Sequence, residues 1–372
     1  MIESNIPDYS LFDTLILQEL SFSIFRLPKE NTMTLVVQQE GTPEYLLNFS
    51  ELNGKEGFII APFENSESTP FVLLHPDIVV ENEKEILFYL GKVNARPASQ
   101  SCPKDEFVRA DASLTYQKSF ELFQTALRSN VCEKIVLSRT LEKPKPKGFS
   151  AGNTFKAACD NYPEAFVYLC YTPMTGTWLG SSPELILSGK DTLWHTVALA
   201  GTMKASANEM TAPWDEKNIR EQHIVSNYIG KQLELSNLTY VRKGPFTAKA
   251  GGLVHLKTEF SFEMDGSSRI GDLLESLHPT PAVCGFPKKT AYRLILKKEG
   301  YDRKYYSGFI GPLSMNGKTD LFVNLRCMEI KPDTLTFYAG GGLMPDSDVE
   351  SEWLETEEKM QTMLSLINFK NE

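Results

Sequence analysis

Seven short stretches of this chain carry side chains that could do chemistry. Glu352 and Glu355, in Glu350-Ser-Glu-Trp-Leu-Glu355, are three residues apart, so both carboxylates leave one face of a helix. Charges that close are tolerated when solvated or when a cation lies between them; an acidic first turn complementing the helix dipole is the plainer reading. Glu221 lies on a second helical stretch and could join them around one hard cation, since magnesium takes few carboxylates and keeps water; a wet helix face is the alternative. Lys134, at the head of the apolar run Lys134-Ile-Val-Leu137, is either a gatekeeper charge or a desolvated amine able to act as a base. Glu184 follows Pro183 and leads into Leu185-Ile-Leu187, which would desolvate its carboxyl and suit a general acid; a strand-edge glutamate facing water is the other reading. Gly340, Gly341 and Gly342 at the expected end of a strand would let backbone N–H groups approach an anion, or form a flexible turn. His278, in His278-Pro-Thr-Pro-Ala282, is held by a stiff two-proline loop. Arg326, inside the apolar run Leu321–Cys327, needs a carboxylate, either a structural ion pair or a substrate; Tyr306 and Lys359 are further donors.

The elements that must position these groups follow from periodicity. Short apolar runs at 34–37, 57–61 and 71–74 read as antiparallel strands. Residues 93–105, with two prolines and no periodicity, read as a linker between a strand-rich part, 1–92, and a catalytic region, 106–372, of one two-lobed domain. Tyr116, Phe120, Phe123 and Leu127 share one helical face, and Asn130 ends that helix. Strands are expected at 134–141, 183–187, 192–199, 306–310, 321–330 and 334–339, with a hairpin from 166–171 to 177–179. Asp215 should cap a helix reaching Leu235 with Ile219, Ile224, Tyr228, Ile229 and Leu233 inward; a last helix spans about 351–366, with Trp353, Met360, Met363 and Leu364 packing. The pattern is α+β, with large stacked antiparallel sheets and helices outside them.

Composition narrows the function. In 372 residues, 41% are hydrophobic and 23% charged, which excludes a disordered or fibrous chain. The net charge of −10 repels phosphate backbones, so nucleic acid is not an expected partner. No apolar run is long enough to span a bilayer, and the start of the chain lacks a secretory pattern. Six irregularly spaced cysteines without a C-x-x-C pair fit reduced thiols in the cytoplasm, and a zinc site is not expected. No Gly-Lys-Ser/Thr follows Gly340–Gly342, so they are not a phosphate-binding loop, and no dinucleotide-type glycine pattern lies between a strand and a helix.

Taken together and in order, these motifs resemble the chorismate-utilising enzymes. The series runs Lys134-Ile-Val-Leu-Ser-Arg139, Ser182-Pro-Glu-Leu185, Ala200-Gly-Thr202, Arg220-Glu-Gln-His223, His278-Pro-Thr-Pro-Ala282, Tyr306-Ser-Gly-Phe-Ile-Gly311, Asn324-Leu-Arg326, Ala339-Gly-Gly-Gly342 and Glu350-Ser-Glu-Trp-Leu-Glu-Thr356. The resemblance extends from about Ser113 to the C-terminus. It implies a deep cleft holding chorismate and Mg²⁺, with Glu221, Glu352 and Glu355 as the metal carboxylates. It implies Arg326, Tyr306, Lys359, the Gly340–Gly341 backbone and Gly201-Thr202 as substrate contacts, and His278 as the histidine facing the substrate ring. Lys134 is similar to the water-activating lysine of members that add water rather than ammonia, with Glu184 as the acid. The His-Pro-Thr-Pro-Ala form with Ala282 is similar to isochorismate synthases; a salicylate synthase, which goes on to eliminate pyruvate, or an amino-transferring member, are the alternatives. A cytoplasmic monomer with a small-molecule substrate and no membrane partner is the expectation. Three carboxylates around a cation, with Lys134, Arg326 and Lys359 nearby, would accept a dianion despite the acidic average.

Overall fold

In a computed structural model the described residues are 7–93, 112–204, 214–250 and 253–369. Their strands form two nine-stranded antiparallel sheets. The first sheet runs Gly285–Phe286, Lys134–Pro144, Thr334–Leu343, Cys327–Ile330, Gly176–Ser182, Phe166–Thr172, Ser21–Arg26, Met33–Gln38, Ile78–Glu81. The second runs Tyr240–Ala250, Leu253–Glu263, Leu193–Lys204, Leu185–Lys190, Lys318–Val323, Phe309–Leu313, Gly57–Ala61, Phe71–Leu74, Glu44–Leu46. The α+β architecture with stacked sheets is as the sequence predicts.

Alternation along the strands builds the layers. Phe58 and Ile60 face the first sheet, where Phe166, Tyr168 and Trp178 meet them; Ile59 and Ala61 face the helices behind the second sheet. The Phe166 and Phe322 rings stack across the sheets at 4.4 Å. Val167, Leu169 and Leu179 point the other way, onto Phe12, Phe155 and Met360. Both faces of each sheet are covered, so the central strands read as unbroken apolar runs rather than alternating ones. The strands of the first 90 residues join both sheets: Ser21–Arg26 pairs with Phe166–Thr172, and Gly57–Ala61 with Phe309–Leu313. The linker reading falls outside the described residues apart from Val93.

The Glu216–Leu235 helix is started by Asp215, whose carboxylate accepts the Asn218 N–H at 2.7 Å. Its roll differs from the apolar pattern. Ile219 is exposed and Ile224 only half-buried, while Asn218, Gln222, Val225, Ile229 and Leu233 face the second sheet. Two amides take inward places because each has partners there. Gln222 donates to the Ala198 carbonyl and the Thr258 hydroxyl, and Asn218 accepts from the Thr202 N–H. That roll aims Glu221 between the sheets.

Candidate active site

The chain crosses from one sheet to the other twice at one place. Gly176–Ser182 belongs to the first sheet and Leu185–Lys190 to the second, with Pro183 and Glu184 between them. Lys318–Val323 belongs to the second and Cys327–Ile330 to the first, with Asn324, Leu325 and Arg326 between them. The expected single strand over 321–330 is therefore two strands, and Arg326 stands in the crossover rather than inside a strand. The two crossovers are tied together: Val323 N–H donates to the Glu184 carbonyl at 2.8 Å, and Ser181 N–H to the Arg326 carbonyl at 3.1 Å. Arg326 has φ +47°, a left-handed conformation costing about 1–2 kcal/mol in a non-glycine residue. Tyr306 also precedes its strand, which starts at Phe309. Charged and polar groups thus sit where the ladder is interrupted and their side chains can face the space between the sheets.

The three glycines are not a turn. The strand runs on to Leu343, and Gly340, Gly341 and Gly342 pair with Ser138, Leu137 and Val136. None has a positive φ, so glycine is required here for room. A Cβ on Gly340 would lie 3.0 Å from the Tyr306 hydroxyl. One on Gly341 would lie 2.8 Å from Glu352 Oε2 and 3.7 Å from Glu355 Oε1. A Cβ on Gly342 would collide with Glu221 Oε1 and lie 2.8 Å from Lys134 Cε. One bare strand is the floor on which both acidic helices and Lys134 converge. Gly342→Ala is expected to lower turnover by at least about 100-fold, because Lys134 and Glu221 cannot keep their places, while the folded protein persists; steady-state kinetics beside a thermal melt checks this.

Each carboxylate meets a lysine. Lys134 is fully buried, and its Nζ stands 2.9 Å from Glu221 Oε1 without an aligned hydrogen bond, so Nζ has no satisfied hydrogen bond among the described residues. Glu352 Oε1 accepts from Lys217 Nζ and the Ser347 hydroxyl, each at 2.6 Å; its Oε2 is buried with no partner among the described residues. Lys359 Nζ donates to Glu355 Oε1 at 2.6 Å and to the Gly340 carbonyl at 2.8 Å. Burial raises the Glu352 carboxyl, and the nearby Glu355 adds to it. Burial works against ionisation of Glu355 too, but Lys359 outweighs it and holds this carboxyl low. Glu184 is buried and pushed up to about 8 by desolvation, against the pull of Lys134, Lys359 and Arg326. Arg326 is half-buried beside the same groups, and its Nη1 donates to the Thr362 hydroxyl at 3.3 Å.

Among the described residues no three acidic, histidine or cysteine side chains gather as they stand into one ligand set. The donor chemistry nevertheless fits magnesium, which needs one or two carboxylates and otherwise keeps water. The orphaned Glu352 Oε2 lies beside Gly341 and next to Glu355, and Glu221 reaches from its helix to Gly342, the next residue of that strand.

The second sheet supplies the opposite wall. Gly201, at φ +74°, and Thr202 form a bulge where the register against Leu253–Glu263 slips. His255 pairs with Thr202 across the ladder, and its Nδ1 lies 3.1 Å from the Gly201 carbonyl. A carbonyl only accepts, so that nitrogen carries the proton and Nε2, buried without a partner, is an acceptor. Burial, with Arg326 and Lys359 adding, lowers His255 to about 3, so it stays neutral. The histidine at the cavity is therefore His255. His278 is placed elsewhere: it caps the Ile270–Leu277 helix and its ring packs on Phe49 and Phe309, 6.0 and 5.2 Å away. The stiff loop aims it into an aromatic cluster. His255 was legible only as a polar residue inside the apolar run 253–256; which face it takes depends on a register that a bulge shifts.

Two cavities join here. The inner one, about 70 Å³, is lined by Glu184, Gly201, Thr202, Glu221, Tyr306, Gly340 and Lys359, with Val136, Leu199 and Ala282 as apolar wall. It shares Pro183, Leu199, His255 and Arg326 with an outer cavity of about 1230 Å³. The outer space is larger, but Glu184, Glu221 and Lys359 line the inner one.

This fold and site define a chorismate-binding enzyme: the family model for chorismate-binding enzymes matches residues 74–368, and the chain belongs to that family. It is similar to isochorismate synthase EntC of Escherichia coli K12, 28% identical over 242 residues, covering 63% of this chain and 62% of that protein. Against isochorismate synthase DhbC of Bacillus subtilis it is 29% identical over 266 residues, with 67% and 66% covered. The match thus spans about two thirds or less of these relatives' length. Among solved structures, the menaquinone-specific isochorismate synthase MenF of Escherichia coli superposes with TM-score 0.76, 19% identity, and 99% and 92% covered. Anthranilate synthase component I of Streptococcus pneumoniae superposes with TM-score 0.65, 19% identity, and 92% and 89% covered. At these identities the two structures speak to the fold alone.

Proposed function

We propose that this chain is an isochorismate synthase, an isomerase that converts chorismate to isochorismate by adding water at C2 and releasing the C4 hydroxyl. The observation that carries this is a cavity lined by Glu221, Arg326 and the buried Glu184, with the buried Lys134 held behind its wall against Glu221; desolvation raises the Glu184 carboxyl to about 8. The relatives named for that activity support it.

In this reading Arg326, Lys359 and the Gly340–Gly341 backbone orient the substrate carboxylates. Lys134, as the free amine, takes a proton from water while the water oxygen bonds to C2. The ring double bond shifts, the C4–O bond breaks, and Glu184 gives its proton to the leaving hydroxyl, which departs as water. Lys134 is left charged and Glu184 ionised, and proton exchange resets both. Glu221 and Glu355, with Glu352 beside them, would hold Mg²⁺, which supplies Lewis acidity and a template for a substrate carboxylate. His255, neutral, accepts a hydrogen bond and positions rather than transfers. We further read the protein as a cytoplasmic monomer whose product feeds menaquinone or siderophore formation; among the relatives, one is menaquinone-specific and one vibriobactin-specific.

Incubation with chorismate and Mg²⁺ should give isochorismate on a chromatogram; salicylate with pyruvate, or no turnover, would overturn the reading. EDTA should abolish turnover and Mg²⁺ restore it, and full activity in EDTA would remove the metal from the mechanism. Because Glu184 must be protonated and titrates near 8, kcat/KM is expected to fall about tenfold per pH unit above about 8. A flat profile to pH 9.5 would contradict the acid role.

A further inference from the structure

A fully buried ion pair, Glu299 with Arg303, lies behind the site and takes no part in the proposed chemistry. Arg303 Nε donates to Glu299 Oε2 and Nη2 to Oε1, both at 2.6 Å, and the guanidinium stands 4.4 Å over the Phe63 ring. Its other bonds go to backbone of the cavity wall: Nη2 to the Val136 carbonyl at 2.9 Å and Nη1 to the Val283 carbonyl at 2.8 Å. Glu299 Oε1 also accepts the Ser138 N–H at 2.7 Å and the Ser138 hydroxyl at 2.8 Å. Ser138 is the register partner of Gly340, and its hydroxyl is 2.6 Å from the Tyr301 hydroxyl. One ion pair therefore grips the strand two and four residues beyond Lys134, and the loop carrying Ala282 and Val283. Val136, Ala282, Val283 and Gly340 all line the inner cavity.

A buried pair is an expensive way to hold a fold, since apolar residues of similar volume are often as stabilising. Arg303 nevertheless bridges the two walls by directed bonds to the Val136 and Val283 carbonyls, which apolar packing cannot replace. We propose that Glu299 and Arg303 are positioning residues that set the Lys134 strand and the Ala282–Val283 loop at their working separation. This rests on the isochorismate synthase reading for its kinetic consequence but not for its structural one.

The test uses the full chain with Glu299→Leu/Arg303→Met, which removes both charges together, and Arg303→Lys, which keeps the charge but cannot span both carbonyls. For both variants a melting temperature within a few degrees of wild type is expected, with kcat lowered at least tenfold, KM changed less than threefold, and a displaced pH profile. Amide hydrogen exchange at 135–138 and 282–284 should quicken at least tenfold, with other strands unchanged. Wild-type kcat, pH profile and exchange in both variants would overturn the proposal. If the double variant does not fold, Arg303→Lys decides it by the same readouts. If wild type fails to turn over chorismate, the function reading falls by itself, and exchange at the two segments still decides the positioning role.

Discussion

Lys134→Ala is expected to lower chorismate turnover by about 10²–10⁴, the range for a lost general base. The ammonium or amine it removes is fully buried and lies 2.9 Å from Glu221. Deleting it also strips Glu221 of its counter-charge, so part of the loss could come through a displaced carboxylate. Lys134→Arg separates the two effects. Arginine keeps a cation beside Glu221 but stays protonated at any working pH and cannot take a proton from water. Both variants should be equally slow if Lys134 is the base. Substantial turnover in Lys134→Arg, measured by product chromatography, would leave Lys134 only an electrostatic partner of Glu221.

Glu184→Gln is the second large effect, again about 10²–10⁴ in turnover, because an amide fills the same space without an acidic proton. Its stability signature is independent of any substrate. Burial holds the folded carboxyl near 8, against an ordinary value of 4.5, so the folded state keeps a proton that the unfolded chain releases. Wild type therefore loses this part of its stability as pH rises from about 4.5 to about 8, and glutamine does not. The melting temperature of Glu184→Gln relative to wild type should climb between pH 5 and pH 9. A constant difference would mean that Glu184 is solvated and ionised in the folded protein, and the acid role would go with it.

Much of the fold is readable in the chain because its drivers are local. The hairpin from Phe166–Thr172 to Gly176–Ser182, the Asp215 cap and the apolar face of the Ala112–Arg128 helix each depend on neighbours within a few turns. The errors fall where a non-local partner overrides the local signal. Leu321 to Ile330 is mostly apolar, yet it divides at Asn324–Arg326 because the chain changes sheets there. Ile219 is an apolar residue left outside because Asn218 and Gln222 hold the inward side by hydrogen bonds. The glycines read as an anion-binding strand end or a flexible turn because only their backbone freedom is visible in one dimension, whereas the groups that need their empty space come from residues more than a hundred positions away, Glu221 and Lys134.

By itself the sequence determined the residue types, their order and the helical spacing that pairs Glu352 with Glu355, because side-chain chemistry and the helix period are properties of short stretches. Only the tertiary structure decided which histidine meets the cavity, that Arg326 and Glu184 sit on adjacent sheet crossovers, and that Glu221, Glu352 and Glu355 each face a lysine. Those outcomes are set by strand register, by a bulge at Thr202 and by the stacking of two sheets, all of which depend on contacts between distant parts of the chain.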